Sequence, residues 1–166
     1  MLKYDRNQAH YLVVTGILVK DGKYLLVKRS EKEKAFPGKW TVPGGKVEVL
    51  DYVLKEKDTS EHWYGVLEDS LRREVLEEVG FEIEKIGYVT SMVYIRPDGV
   101  PALIVSLFAE PSGKEEVKLC SALTEYAWVN LEEAKGYDLI EGIYEELEQL
   151  DQMLHEGESV AWKQSG

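Results

Sequence analysis

Apolar residues recur along this chain first at strand period, then at helical period. "YLVVTGILVKDGKYLLVKRS", residues 11–30, reads as two apolar strands joined at Asp21-Gly22, a strong hairpin signal. Val13, Val14, Ile17 and Leu18 make the first strand apolar on both faces, which predicts cover from both sides. "EKEKAFPGKWTVPGGKVEV" follows as a loop punctuated by Pro37-Gly38 and Pro43-Gly44-Gly45, with short extended pieces at 40–42 and 46–49. From 50 to 65 no clean period survives, and residues 52–65 read as an insertion or lid. Leu67, Leu71, Val75 and Val79 then recur at every fourth position, predicting a helix over 66–79 with Gly80 as the residue that stops it. "YVTSMVYI" and "PALIVSLFAE" predict two strands around a turn at 96–99, and "EYAWVN" predicts a last strand. Residues 131–156 predict a C-terminal helical region, broken near Gly136 and Gly142. The implied fold is α+β, an α/β/α sandwich in which a mixed sheet packs between helices.

Length and composition narrow this picture. A chain of 166 residues suits a single domain over 1–166, and 44% hydrophobic with 31% charged residues excludes wholesale disorder. The formal net charge of -11 argues against a nucleic-acid polymer as partner, since that needs a basic stripe. A small phosphorylated substrate stays compatible, because metal ions bridge acidic protein to anionic ligand. Cys120 is the only cysteine, so neither an intrachain disulfide nor a cysteine-rich zinc site is possible. The opening "MLKYDRNQAH" has no apolar run of the signal-peptide kind, and no stretch approaches a membrane span; the expectation is a cytoplasmic protein with no membrane partner.

The predicted helix carries an unusual charge arrangement in "LRREVLEEVG". Glu74, Glu77 and Glu78 stand at i, i+3 and i+4, within an arc of about 100° beside the apolar stripe. Like charges so placed repel by a few tenths of a kcal/mol per pair. One reading is a solvated acidic face, the better one for three such glutamates taken alone. The other is a cage for a hard cation, Mg²⁺ or Mn²⁺, which oxygen donors suit. Arg73 stands four residues before Glu77 and can hold it in place. The Gly44-Gly45 pair ahead of the helix and the abrupt stop at Gly80 favour the cage.

These residues carry a family resemblance. "RREVLEEVGF" resembles the core of the Nudix box, G-x5-E-x7-R-E-U-x-E-E-x-G-U with U a bulky apolar residue: Arg73, Glu74, Val75, Glu77, Glu78, Gly80 and Phe81 match its second half position by position. "PGGKVEV" matches the approach, with Gly45 as the first glycine of the box. The strand pair ending in Arg29, the "WTVPGG" segment and "YAWVNLEEA" extend the likeness over most of residues 13–133. Two departures stand out. Asp51 occupies the position of the first glutamate, and Arg73 follows fourteen residues later than the box spacing requires, which places an insertion between loop and helix. Asp51 is either a stand-in acid for the site or a surface loop aspartate.

The resemblance implies a metal-dependent enzyme that hydrolyses the pyrophosphate linkage of a nucleoside diphosphate joined to a group X, nucleoside triphosphates included. It implies Glu74, Glu77 and Glu78 as ligands of Mg²⁺ or Mn²⁺, one of them doubling as general base, with Arg73 orienting a glutamate. Gly44 and Gly45 shape the supporting turn, and Arg29 faces phosphate or base, with a solvent-facing strand end as the equal alternative. Trp40 and Phe36 are candidates to stack on a base, although for Trp40 packing is the favoured role. A further metal-binding acid is sought among Glu115, Glu116 and Glu125, where surface glutamates are the even alternative. Pro97 stands near where ADP-ribose-cleaving members of the family carry a proline, but an ordinary hairpin turn suffices to explain it. His10, His62 and His155 are scattered, and His62, Trp63 and Tyr64 fall in the insertion, as pocket lid or packing. The partner expected is a small nucleotide, and a homodimer stays open. The competing function is a catalytically weak Nudix-fold binding or regulatory module, which the intact second-half acids disfavour.

Overall fold

A computed structural model describes residues 5–113 and 116–157. The hairpin forms as read: β1 (Tyr11–Lys20) and β2 (Lys23–Arg29) turn at Asp21 and Gly22, both with positive φ. Then come β3 (Trp40–Thr41), β4 (Gly44–Lys46), α1 (Val66–Val79), β5 (Glu82–Ile95), β6 (Pro101–Ser112), β7 (Leu123–Val129), α2 (Leu131–Ala134) and α3 (Ile143–His155). The strand order is β3-β2-β1-β6-β5, with β4 on β1 and β7 on β2. The sheet is mixed, because β1 runs parallel to β6 while its other pairings are antiparallel.

α1 covers one face of the sheet. Leu71, Val75 and Val79 are fully buried there against Val14, Leu18, Val105 and Leu107, with Leu67 partly buried at the rim. α3 covers the other face, burying Ile143, Leu147 and Leu150 against Ile17, Val89 and Phe108. This is the two-sided cover that the apolar first strand predicts, and burying both faces is the main stabilisation of such a layered fold. The C-terminal helical region is broken between α2 and α3, across both expected glycines, and Gly142 precedes α3 with φ +94.

The largest departures from expectation are in two strands. The extended piece placed at 46–49 is instead β4, made of the double glycine and Lys46, and residues 49–51 form a 3-10 turn. Gly44 lies so close to β1 that a Cβ would meet the Val14 carbonyl oxygen at 2.4 Å, so only glycine pairs there. β5 begins at Glu82, six residues before the predicted start, because an irregularity between Glu84 and Gly87, with Lys85 at φ +53, masks the alternation. The 52–65 segment adds no strand or helix. It ties itself together by the Tyr52–Trp63 ring contact at 5.3 Å and by the Trp63 indole N–H on the Lys55 carbonyl, 3.0 Å. Among the described residues no helix is long and apolar enough to cross a membrane.

Candidate active site

α1 ends because Gly80 takes φ +81, and its N–H bonds back to the Val75 and Leu76 carbonyls. The backbone N–H groups of Lys118 and Cys120 satisfy the carbonyls of Val79 and Glu78, at 2.9 and 3.0 Å. The last turn, which carries Glu77 and Glu78, is therefore fixed at its C-terminus.

β4 fixes the acids from the other side. A Cβ on Gly45 would lie 2.3 Å from Glu74 Oε1, so the missing side chain is the space the Glu74 carboxylate occupies. The Gly44 N–H donates to Glu78 Oε2 at 3.0 Å. Glu74 is buried, Glu78 half-buried and Glu77 exposed. Burial pushes the Glu78 carboxyl up to about 7; the charges of Glu74 and Glu77 add to this, while the Gly44 bond and Arg29 oppose it. Burial also raises Glu74, against the pull of Arg73, with Glu77 and Glu48 adding to the rise.

Arg73 organises the group. Its Nη1 meets Glu74 Oε1 at 2.8 Å and Glu77 Oε2 at 3.2 Å, and its Nη2 donates to the Lys46 carbonyl at 3.0 Å. Nε and Nη2 both reach Asp51, which settles the two readings of that residue: Asp51 is a buried partner of Arg73 and not a surface aspartate. Asp51 also accepts from the Ser70 hydroxyl at 2.7 Å and the Glu48 N–H at 2.8 Å. Burial alone would raise its carboxyl, yet the Arg73, Glu48 and Ser70 donors together hold it down at about 2. The insertion leaves from Tyr52 and returns ahead of α1, so the extra residues do not part Asp51 from Arg73.

The structure thus gathers Gly44, Gly45, Arg73, Glu74, Glu77 and Glu78, with Arg29 near enough for its charge to act on Glu78. Arg29 is itself held by the Ala35 carbonyl at 2.7 Å and by Glu33 at 3.4 Å. Trp40 lies elsewhere, edge-on to Tyr137 at 4.8 Å and packed in the α3-side core. Phe36 is exposed and leans on Tyr94, 6.0 Å between ring centroids. Glu125 pairs with Lys28 at 2.8 Å, Glu116 is exposed, and Glu115 lies outside the described residues. Pro97 sits in the turn closed by the Gly99 N–H on the Arg96 carbonyl, 2.8 Å. His62 bonds Thr59 at 2.9 Å and stacks near Tyr64 within the insertion. His10 contacts the Gln8 carbonyl and His155 the Asp151 carbonyl, both away from the acids. Sequence reasoning missed Ser70 and Glu48; a serine inside a helix has no signature until its acceptor is placed.

Hard oxygen donors on one helix end suit a divalent cation. Arg73 stands as the positive charge facing Glu74 and Glu77, while burial penalises an ionised Glu78. The residues fit such an ion by donor type and charge. Among the described residues no three acidic, histidine or cysteine side chains converge as a ready-made cage, and Glu77 is the exposed member of the three.

Comparison with known proteins places the chain in a family and a fold. A family model described as NUDIX domain matches residues 10–150. The chain is 31% identical over 137 residues to nucleoside triphosphatase NudI of Escherichia coli strain K12, covering 76% of this chain and 86% of that one. It is 29% identical over 136 residues to the protein of the same name from Klebsiella pneumoniae strain 342, with the same coverage. Among solved structures, the E. coli ORF135 protein superposes with a TM-score of 0.66 at 24% identity, over 99% of this chain and 100% of that one. The NUDIX domain of Shewanella oneidensis NrtR, complexed with ADP ribose, gives 0.67 at 21% identity, over 91% and 94%.

Proposed function

Because the chain belongs to the NUDIX domain family and is a Nudix hydrolase, we propose that it hydrolyses the pyrophosphate linkage of a nucleoside triphosphate or a related nucleoside diphosphate derivative, by attack of water at phosphorus with Mg²⁺ or Mn²⁺ bound. Glu74, Glu77 and Glu78 hold the cation. When bound, it neutralises charge on the pyrophosphate oxygens and activates the attacking water. Arg73, anchored on Asp51, keeps Glu74 and Glu77 oriented. The Gly44 N–H fixes Glu78 at the outer edge of β4, and Arg29 adds positive charge beside it. The names of the NudI relatives favour a nucleoside triphosphate.

One observation carries this reading: two of the three acids are seated by β4 itself, Glu74 in the space left by Gly45 and Glu78 on the Gly44 N–H. A merely solvated acidic face has no use for such seating. The test is a panel of nucleoside triphosphates, nucleotide sugars, ADP-ribose and dinucleoside polyphosphates with Mg²⁺, and identification of the products. The expected result is cleavage within the diphosphate, falling by about 100-fold or more in Glu77→Gln and Glu78→Gln while both remain folded. Full activity in both variants on every cleaved substrate contradicts it.

A further inference from the structure

Where the chain enters the insertion, it buries an acid and exposes its apolar residues. Past the 3-10 turn at 49–51, the Val53 N–H reaches the Val49 carbonyl at 3.0 Å and the Lys55 N–H the Tyr52 carbonyl at 2.9 Å. Residues 49–55 therefore wind as a short helical stretch. Val49, Leu50, Val53 and Leu54 fall on it within an arc of about 140°, while Asp51, on the other side, is buried against Arg73. Those four apolar residues are 43–81% exposed. The Trp63 indole bond to the Lys55 carbonyl brings the chain back to this point, and the next residue, Tyr64, is 65% exposed.

None of these five residues joins either core cluster. The segment that carries them is nevertheless held in shape. The Asp58 N–H bonds the His62 carbonyl at 2.9 Å, and the Tyr64 N–H bonds the Asp58 carboxylate at 2.9 Å, beside the Tyr52–Trp63 contact. Together the five expose roughly 500 Å², near the upper end for the largest apolar patch of a monomer, where such patches mark contacts. Two such patches face to face remove about 1,000 Å² before any rim is counted, close to the size at which specific interfaces begin. The exposed charges that follow the patch, Lys55, Glu56, Lys57 and Asp58, balance one another in a chain that carries -11. A second copy therefore meets no excess of like charge at the contact, whereas an anionic membrane surface would be repelled by the acidic chain.

We propose that two copies of this chain pair through this surface, patch on patch about a twofold axis, with Leu50 and Leu54 at its centre. In such an isologous contact the same residues serve both sides, so one apolar patch and one balanced rim suffice. The pairing gives a role to a segment that neither core uses. The stretch that holds Asp51 against Arg73 on its inner side then forms the interface on its outer side.

The test is sedimentation equilibrium of the full chain up to about 100 μM, which needs no substrate. A dimer with a Kd of about 10 μM or tighter is expected. Leu50→Asp combined with Leu54→Asp weakens it by about 100-fold or more, since buried unpaired charge replaces the central contacts. Leu54→Asp alone, at the most exposed of the five residues, carries the test if a thermal melt shows the double variant unfolded. Val93 and Ile95, at the end of the edge strand β5, are the rival surface for self-pairing, and Ile95→Asp leaves association unchanged. A chain that stays monomeric at about 100 μM overturns the proposal, whether it remains alone or floats with phosphatidylcholine vesicles. A dimer that survives the aspartates, or one that Ile95→Asp dissolves, overturns it as well.

Discussion

At position 45 a methyl group would land 2.3 Å from a Glu74 carboxylate oxygen, the movable end of a side chain; at position 44 it would land 2.4 Å from the backbone carbonyl of Val14. The two glycines therefore fail differently. Gly44→Ala is expected to cost about 1–3 kcal/mol of stability, since the ladder itself must shift. Gly45→Ala is expected to melt within a few degrees of wild type yet lose about tenfold or more in kcat, because Glu74 is displaced. Thermal melts beside steady-state rates separate these outcomes. Asp51 supplies the pH dependence at the acid end. Its folded pKa of about 2 lies below the ordinary carboxylate value of 3.8. Its contribution is thus complete above the ordinary value and lost as pH falls through about 2. That contribution is about 2 kcal/mol. Asp51→Asn should therefore be less stable than wild type at pH 6, with the gap closing toward pH 2 in denaturant titrations.

Among the elements, α1 was the most legible in the sequence. Four apolar residues at fourfold spacing and a terminal glycine set both its limits at 66–79. β5 was partly hidden, since the irregularity near Lys85 breaks its alternation. β4 was hidden more fully, because glycines carry no hydrophobic signal. The acids of the site were readable because their chemistry is local to one helix. Asp51 on Arg73, by contrast, depends on a loop that departs and returns. The insertion packs on itself, linked to α1 by the Lys55–Asp69 pair, and adds no residue to either core cluster. Replacing residues 53–64 by a short glycine-serine linker should leave a cooperative fold with its circular dichroism intact. Loss of the folded state would show that the segment is structural.

For the molecule as a whole, a net charge of -11 and a phosphate-bearing substrate are electrostatically at odds unless cations join them. The topology supplies the junction. β1 pairs with β2 at one end and with β4 at the other, so Arg29 at the end of β2 and the acids of α1 meet beside β4. None of that long-range arrangement has a counterpart in local periodicity. The resemblance of the box implied the cation, and the mixed sheet between helices followed from element order alone. The most direct measurement is anomalous diffraction at the manganese edge from crystals soaked in Mn²⁺. The account predicts a peak at ordinary oxygen-ligand distances, about 2.0–2.3 Å, from carboxylates of Glu74, Glu77 and Glu78. A fully loaded crystal with its manganese elsewhere, and those three side chains directed into solvent, would contradict it.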